Sequence, residues 1–175
     1  MNRKYWIPAT LVLLATLALS TLTSAGSSAS SGDGSLEQRL QRLEDIEAIR
    51  QVMIDYGRAL DKRDFKAYGE LFAKEGSWKG GMGGATGPEN IANMVQAGFA
   101  KMDPKMYTDS NHVMTSMDIE VDGDTATGWS RWLWVIPGDD NRPLVQRGGY
   151  YEDTFVREDG HWKINTRQAF TEINK

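Results

Sequence analysis

Residues 111–136 read NHVMTSMDIEVDGDTATGWSRWLWVI, and this stretch alone indicates the fold class of the C-terminal half. It contains two β-prone runs, 111–121 and 125–136, in which apolar and polar residues tend to alternate. The runs are separated by Asp122-Gly123, a dipeptide typical of tight hairpin turns. The stretch therefore predicts an antiparallel β-hairpin.

A second hairpin is predicted directly downstream. Residues 144–157 face residues 162–169 across Asp159-Gly160, a second turn of the same chemistry. The C-terminal half is thus expected to supply about four antiparallel strands.

Helical periodicity precedes the strands. From Leu36 to Leu60 apolar residues recur every three or four positions, which is typical of a long amphipathic helix. Asp64 is placed to cap a second helix over 65–73, and Pro88 begins a third that runs to about Met102. Three helices followed by antiparallel strands predict an α+β domain with the helices on one face of a curved sheet.

A glycine-rich segment, residues 80–87, interrupts this pattern after a short β-prone stretch at residues 77–79. It lacks the Gly-Lys-Ser/Thr ending of a phosphate-binding loop. We expect a mobile loop that could act as a lid.

The N-terminus has the pattern of a secretory signal. Arg3 and Lys4 precede an apolar run, 5–22, and small residues follow at 23–25. We expect a cleaved signal peptide over 1–25 and a periplasmic or secreted protein, with an uncleaved membrane anchor as the alternative. Residues 26–35 have the composition of a flexible leader, which leaves one domain over 36–175.

Composition excludes several classes of function. The 175-residue chain contains no Cys, so disulfides and thiolate chemistry are excluded. Its formal charge of −4 would become −6 if Arg3 and Lys4 were removed with the signal, which argues against nucleic acid and anionic membranes as partners. Two His and no Cys are a poor metal-ligand set, and the Gly-x-Ser-x-Gly elbow of serine hydrolases is absent.

The two histidines differ in position. His161 follows a turn, where side chains usually meet solvent, whereas His112 opens a strand. Asp61, near the end of the long helix, is a candidate carboxylate partner for His112. From the residues alone, a lone histidine on a strand is more often a hydrogen-bonded structural residue, and Asp61 is more often part of a solvated turn at the helix end.

Several motifs in order resemble the SnoaL-like branch of the nuclear transport factor 2 superfamily. The resemblance covers residues 38–170 and is carried by YGRALDKRDF (56–65), LFA (71–73), SNH (110–112), IEVDGDTA (119–126) and EDGHWKI (158–164). It implies a cone-shaped α+β barrel, in which three N-terminal helices pack in a strongly curved, mostly antiparallel sheet around an apolar cavity.

The resemblance also implies candidate catalytic residues. Scytalone dehydratase, bile-acid 7α-dehydratase and hexachlorocyclohexane dehydrochlorinase, members of this superfamily, place an aspartate and a histidine face to face in the cavity. Asp61 and His112 match these two, Tyr56 matches a further active-site position, and Arg167 resembles a pocket arginine. The second active-site histidine of scytalone dehydratase has no counterpart in residues 132–136, so the substrate does not carry over.

These matches imply a cofactor-free lyase that acts by dehydratase-type elimination on a small hydrophobic hydroxy or carbonyl compound containing a ring. Alternatives are an isomerase or cyclase with Asp61 as the base, and a non-catalytic binding or association domain. We expect a homodimer or homotrimer and no metal. The strand parity leaves open which face of residues 129–134 lines the pocket, and the candidate lining is Trp78, Met94, Phe99, Met114, Trp132 and Tyr150.

Overall fold

The structure, a computed structural model, describes residues 34–104, 109–138, 140 and 142–174. The predicted signal segment and residues 26–33 of the predicted leader lie outside the described residues. The helices and strands are α1 (Leu36–Lys62), α2 (Phe65–Glu70), β1 (Phe72–Gly80), β2 (Gly83–Thr86), α3 (Pro88–Phe99), β3 (Asn111–Asp122), β4 (Thr125–Pro137), β5 (Pro143–Glu158) and β6 (His161–Asn174).

The strands form one six-stranded sheet in the order β2-β1-β6-β5-β4-β3. Every neighbouring pair is antiparallel except β1 and β6, which are parallel. Register shifts interrupt four of the five pairings, and such bulges bend strands and increase their twist. The predicted α+β fold is confirmed, with the helices packed against a curved sheet that stays open at its β2 and β3 edges.

Both predicted hairpins are present. Asp122-Gly123 joins β3 to β4, and Asp159-Gly160 joins β5 to β6. Gly123 and Gly160 have φ angles of 57° and 79°, the left-handed conformation that hairpin turns require and that glycine adopts without strain.

Two expectations about the region between α2 and α3 are wrong. Helix α2 ends at Glu70, because residues 72 and 73 enter β1 beside β6 and are buried there. The glycine-rich segment is not a plain loop, since residues 83–86 form β2 along the edge of β1. The first difference comes from pairing with β6, a strand remote in sequence that local periodicity does not register. The second is a local hairpin, in which β2 turns back on β1 across residues 81–82.

Helix α1 buries its face only from Asp45 onward. Residues 36–44 are all exposed, whereas residues 49, 53, 56 and 60 are at most 4% exposed. Leu36, Leu40 and Leu43 keep helical spacing but are 54–74% exposed, because the first turns of α1 are not covered by the sheet.

Asp45 fastens α1 to the β5–β6 hairpin. Its carboxylate Oδ1 accepts hydrogen bonds from Arg157 Nη2 at 2.6 Å, Trp162 Nε1 at 3.1 Å and Gln41 Nε2 at 3.2 Å. Burial alone would raise the pKa of this carboxyl, but the hydrogen bonds, with the charge of Arg157, outweigh burial and lower the pKa.

We expect the Asp45 contact to make the domain sensitive to acid. A carboxyl whose pKa is lowered in the folded state stabilises at neutral pH, and this contribution disappears as pH falls through the folded pKa. Asp45→Asn should lower the free energy of unfolding at pH 7 by about 2 kcal/mol and flatten its decline in acid. Urea unfolding between pH 7 and pH 3 measures both effects.

Asp124→Asn is the matched control. Asp124 Oδ1 also contacts Arg157, at 2.9 Å, but its side chain is 80% exposed, so little change is expected. Equal losses in the two variants would contradict an anchoring role for Asp45.

Candidate active site

Asp61 and His112 are in direct contact. Asp61 lies in the last turn of α1 and His112 is the second residue of β3. Asp61 Oδ1 accepts the backbone N–H of His112 at 2.8 Å and lies 2.7 Å from the ring Nδ1. The side chains are 23% and 10% exposed. One carboxylate oxygen thus holds both the backbone and the ring of His112.

The end of α1 is fixed against the start of β3 by a second contact. Arg63 caps α1 in the left-handed conformation, and its backbone N–H donates to the carbonyls of Ala59 and Leu60. Its guanidinium Nη2 donates to Ser110 Oγ at 2.6 Å, and Ser110 is buried directly before β3. The contacts Arg63–Ser110 and Asp61–His112 therefore both join the end of α1 to the start of β3.

The Asp61 contact sets the tautomer of His112. A carboxylate can only accept, so in the neutral imidazole the proton lies on Nδ1 and Nε2 carries the free lone pair. Nε2 has no hydrogen-bond partner among the described residues. Since His112 lines the cavity, this nitrogen is available to a bound molecule.

The cavity has a volume of about 410 Å³, a size suited to a small organic molecule. Most of its wall is aromatic or aliphatic, with His112 and Arg147 as the residues able to carry charge. The remaining lining residues are Tyr56, Leu60, Tyr68, Trp78, Gly81, Met82, Phe99, Met102, Trp132, Trp134, Tyr151, Ala169 and Thr171.

Tyr56 is the centre of a hydrogen-bonded cluster in the cavity wall. Its hydroxyl accepts from Tyr68 at 2.9 Å and from Trp78 Nε1 at 3.0 Å. Two accepted bonds occupy both lone pairs of a phenol, so the Tyr56 proton remains to be donated. Burial, above all, raises the pKa of Tyr68 and of Tyr151, which therefore stay neutral.

Arg167 does not line the cavity, which corrects the expectation of a pocket arginine. Its Nε and Nη2 donate to Asp153 at 2.7 and 2.6 Å, and both side chains are fully buried. Burial lowers the pKa of the guanidinium, but the charge of Asp153 more than offsets this and raises it. Its Cζ lies 3.9 and 4.3 Å from the ring centroids of Tyr56 and Tyr151, so Arg167 supports the wall from behind.

Three of the six expected pocket residues line the cavity: Trp78, Phe99 and Trp132. Burial along β4 resolves the open question of parity, since the even-numbered residues 130, 132 and 134 face inward. Trp134, which shares that face with Trp132, is therefore a lining residue that sequence parity could have supplied.

The other three expected residues lie elsewhere. Tyr150 stacks with Trp129 and Phe170, at 5.8 and 4.6 Å, on the sheet face away from the cavity, and its neighbour Tyr151 lines the wall instead. Met114 lies under α1 against Gly57, and Met94 lies on α3 beside the edge strand β2.

Tyr68 and Arg147 also line the cavity, and no pattern in the sequence had indicated either of them as a site residue.

Within the described residues, no group of three or more His, Asp or Glu side chains could hold a metal ion. None of the described helices is both long and apolar enough to cross a membrane.

We expect Asp153→Asn to destabilise the domain by about 3 to 5 kcal/mol, because it leaves the Arg167 guanidinium buried without a counter-charge. Urea unfolding measures this loss. Replacing both partners, as in Asp153→Leu with Arg167→Met, should recover much of it.

Asp159→Asn serves as control, since that carboxylate is 81% exposed in its contact with Lys74. A domain that tolerates Asp153→Asn and loses only ligand affinity would contradict the supporting role of Arg167.

Solved structures with the same fold include enzymes. An NTF2-like protein with a cystatin-like fold from Novosphingobium aromaticivorans is 28% identical, covers 76% of this chain and 85% of that one, and has a TM-score of 0.67. The hexachlorocyclohexane dehydrochlorinase LinA is 26% identical, with 77% and 90% covered and a TM-score of 0.63. A scytalone dehydratase-like protein from N. aromaticivorans is 25% identical, with 75% and 86% covered and a TM-score of 0.60.

The family assignment comes from the sequence profile. The SnoaL-like domain profile matches residues 41–168, a span that begins within α1 and ends within β6 and so includes Asp61, His112, β1 to β5 and the first half of β6. This chain therefore belongs to the SnoaL-like domain family.

Proposed function

We propose that this protein is a cofactor-independent lyase that eliminates water from a small hydrophobic compound containing a ring, a hydroxyl group and a carbonyl group. The observation that carries the proposal is the state of His112. Its Nδ1 is held by Asp61, its Nε2 has no partner among the described residues, and the residue lines the cavity. A positioned base in an apolar cavity is the arrangement that proton abstraction from carbon requires.

The elimination follows from this geometry. Nε2 takes a proton from the carbon next to a carbonyl, and Asp61 stabilises the imidazolium that forms. The electrons of the broken C–H bond form a C=C bond as the C–O bond to the hydroxyl breaks. The imidazolium returns the proton to the departing hydroxide, so the products are water and an unsaturated compound.

Tyr56 is placed to stabilise the negative charge that develops. Its hydroxyl accepts from Tyr68 and Trp78, so it donates its own proton to the carbonyl or to the leaving oxygen. The Arg167 guanidinium against the Tyr56 ring favours this polarisation without touching the substrate.

The comparisons support the reaction class. Two of the structural neighbours are named for eliminations, a dehydrochlorinase and a scytalone dehydratase-like protein. The cavity of about 410 Å³ and its aromatic wall suit a ring compound.

The test is a panel of hydroxylated ring ketones and acids incubated with purified protein, with loss of water followed by mass spectrometry. His112→Ala should lower kcat/KM by about 10² to 10⁴-fold, because the variant has no base. Asp61→Asn should also reduce kcat, because the amide holds the ring less well in the productive tautomer.

His161→Ala is the matched control, since this histidine lies at the exposed β5–β6 turn and should leave the rate unchanged. If His112→Ala converted every reacting compound as fast as the wild type, the proposal would be wrong. If Asp61→Asn lost activity while His112→Ala kept it, Asp61 would instead be the base of an isomerase or cyclase.

A further inference from the structure

Arg147 lies on the same wall of the cavity as His112. The pairing register aligns His112 on β3 with Trp134 on β4, and Trp134 with Arg147 on β5. All three residues line the cavity. Neighbouring strands are about 4.8 Å apart, so two spacings put the backbones of His112 and Arg147 on the order of 10 Å apart.

The Trp134 ring lies between His112 and Arg147. The His112 and Trp134 rings are stacked with centroids 6.3 Å apart, and Arg147 Cζ lies 5.8 Å from the Trp134 centroid. A guanidinium beside an indole is attracted to its π face, which restricts where the charge can lie. The wall thus presents His112 and the Arg147 cation on the two strands that flank Trp134.

The charge of Arg147 has no counter-charge among the residues that the structure describes. No carboxylate among the described residues pairs with it, whereas Arg157 and Arg167 on β5 and β6 pair with aspartates. Arg147 is an exposed residue that also lines the cavity, so it stands where the cavity wall meets solvent. A guanidinium offers parallel N–H donors that match the two oxygens of a carboxylate.

We propose that Arg147 binds a carboxylate of the substrate, which makes the substrate class a hydrophobic ring-containing acid. The carboxylate lies about one ring width from the carbon that faces His112 Nε2. The assignment of that carbon rests on the proposed function, but the preference for an anionic ligand does not require turnover.

The test compares two probes of the same shape, 2-naphthoate and the uncharged 2-naphthamide. Trp78, Trp132 and Trp134 line the cavity, so quenching of tryptophan fluorescence reports binding. The wild type should bind 2-naphthoate at least about tenfold more tightly than the amide, the effect of one hydrogen-bonded charge. Arg147→Gln should abolish that preference, Arg147→Lys should retain part of it, and Arg147→Glu should reverse it.

Arg131→Gln controls for loss of a positive charge. Arg131 is exposed on β4, faces away from the cavity and pairs with Glu172, so its removal should leave the preference unchanged. His112→Ala should likewise keep the preference for 2-naphthoate.

Three results would overturn the inference: equal affinity of the wild type for both probes, no binding of 2-naphthoate, or a preference that survives Arg147→Gln. If the surviving preference disappeared in His112→Ala, His112 would be the residue that holds the anion. A preference that depends on Arg147, in a protein that eliminates water from no compound of the panel, would support the anion site and count against the proposed lyase.

Discussion

The buried ion pair between Arg167 and Asp153 is the interaction on which the cavity wall depends. Both side chains are fully buried, so removing either partner would leave a charge that the interior cannot solvate. The guanidinium lies against the rings of Tyr56 and Tyr151, both of which line the cavity. Because separating the buried pair would cost much energy, the guanidinium stays in place, and the two tyrosine rings that pack against it keep their positions.

Charge is distributed unevenly over this small domain. The chain as a whole carries a formal charge of −4, yet the described cavity lining includes the guanidinium of Arg147 and no carboxylate. Asp61 forms its hydrogen bonds with His112 and is not among the residues that line the cavity. A guanidinium at a mostly apolar wall interacts with an anion more strongly than one surrounded by water, because charges interact more strongly in low-dielectric surroundings.

Features encoded by local chemistry could be predicted from the sequence. Two Asp-Gly turns predicted the hairpins, and the resemblance indicated Asp61 and His112, which the fold brings into contact. Features that depend on how strands distant in sequence pair with one another could not be predicted. The register shift between β5 and β6, where Thr154 pairs with Thr166 but Phe155 with Ile164, changes which residues of β6 face inward. Strand parity without such a bulge cannot place Tyr151 rather than Tyr150 in the wall, nor put Arg167 beneath it.

The edge position of β3 explains why the carboxylate holds a backbone group as well as a ring. Strand β3 has only β4 as a neighbour, so backbone N–H groups on its other side have no strand to bond. Asp61 accepts the N–H of His112 on that side, and the end of α1 thereby takes the place of the missing strand. The same oxygen accepts Nδ1 of the ring, so the direction of Nε2 is set by the backbone of β3. A histidine on a free edge strand would move with that edge, whereas His112 is held by the end of a helix whose buried face lies in the core.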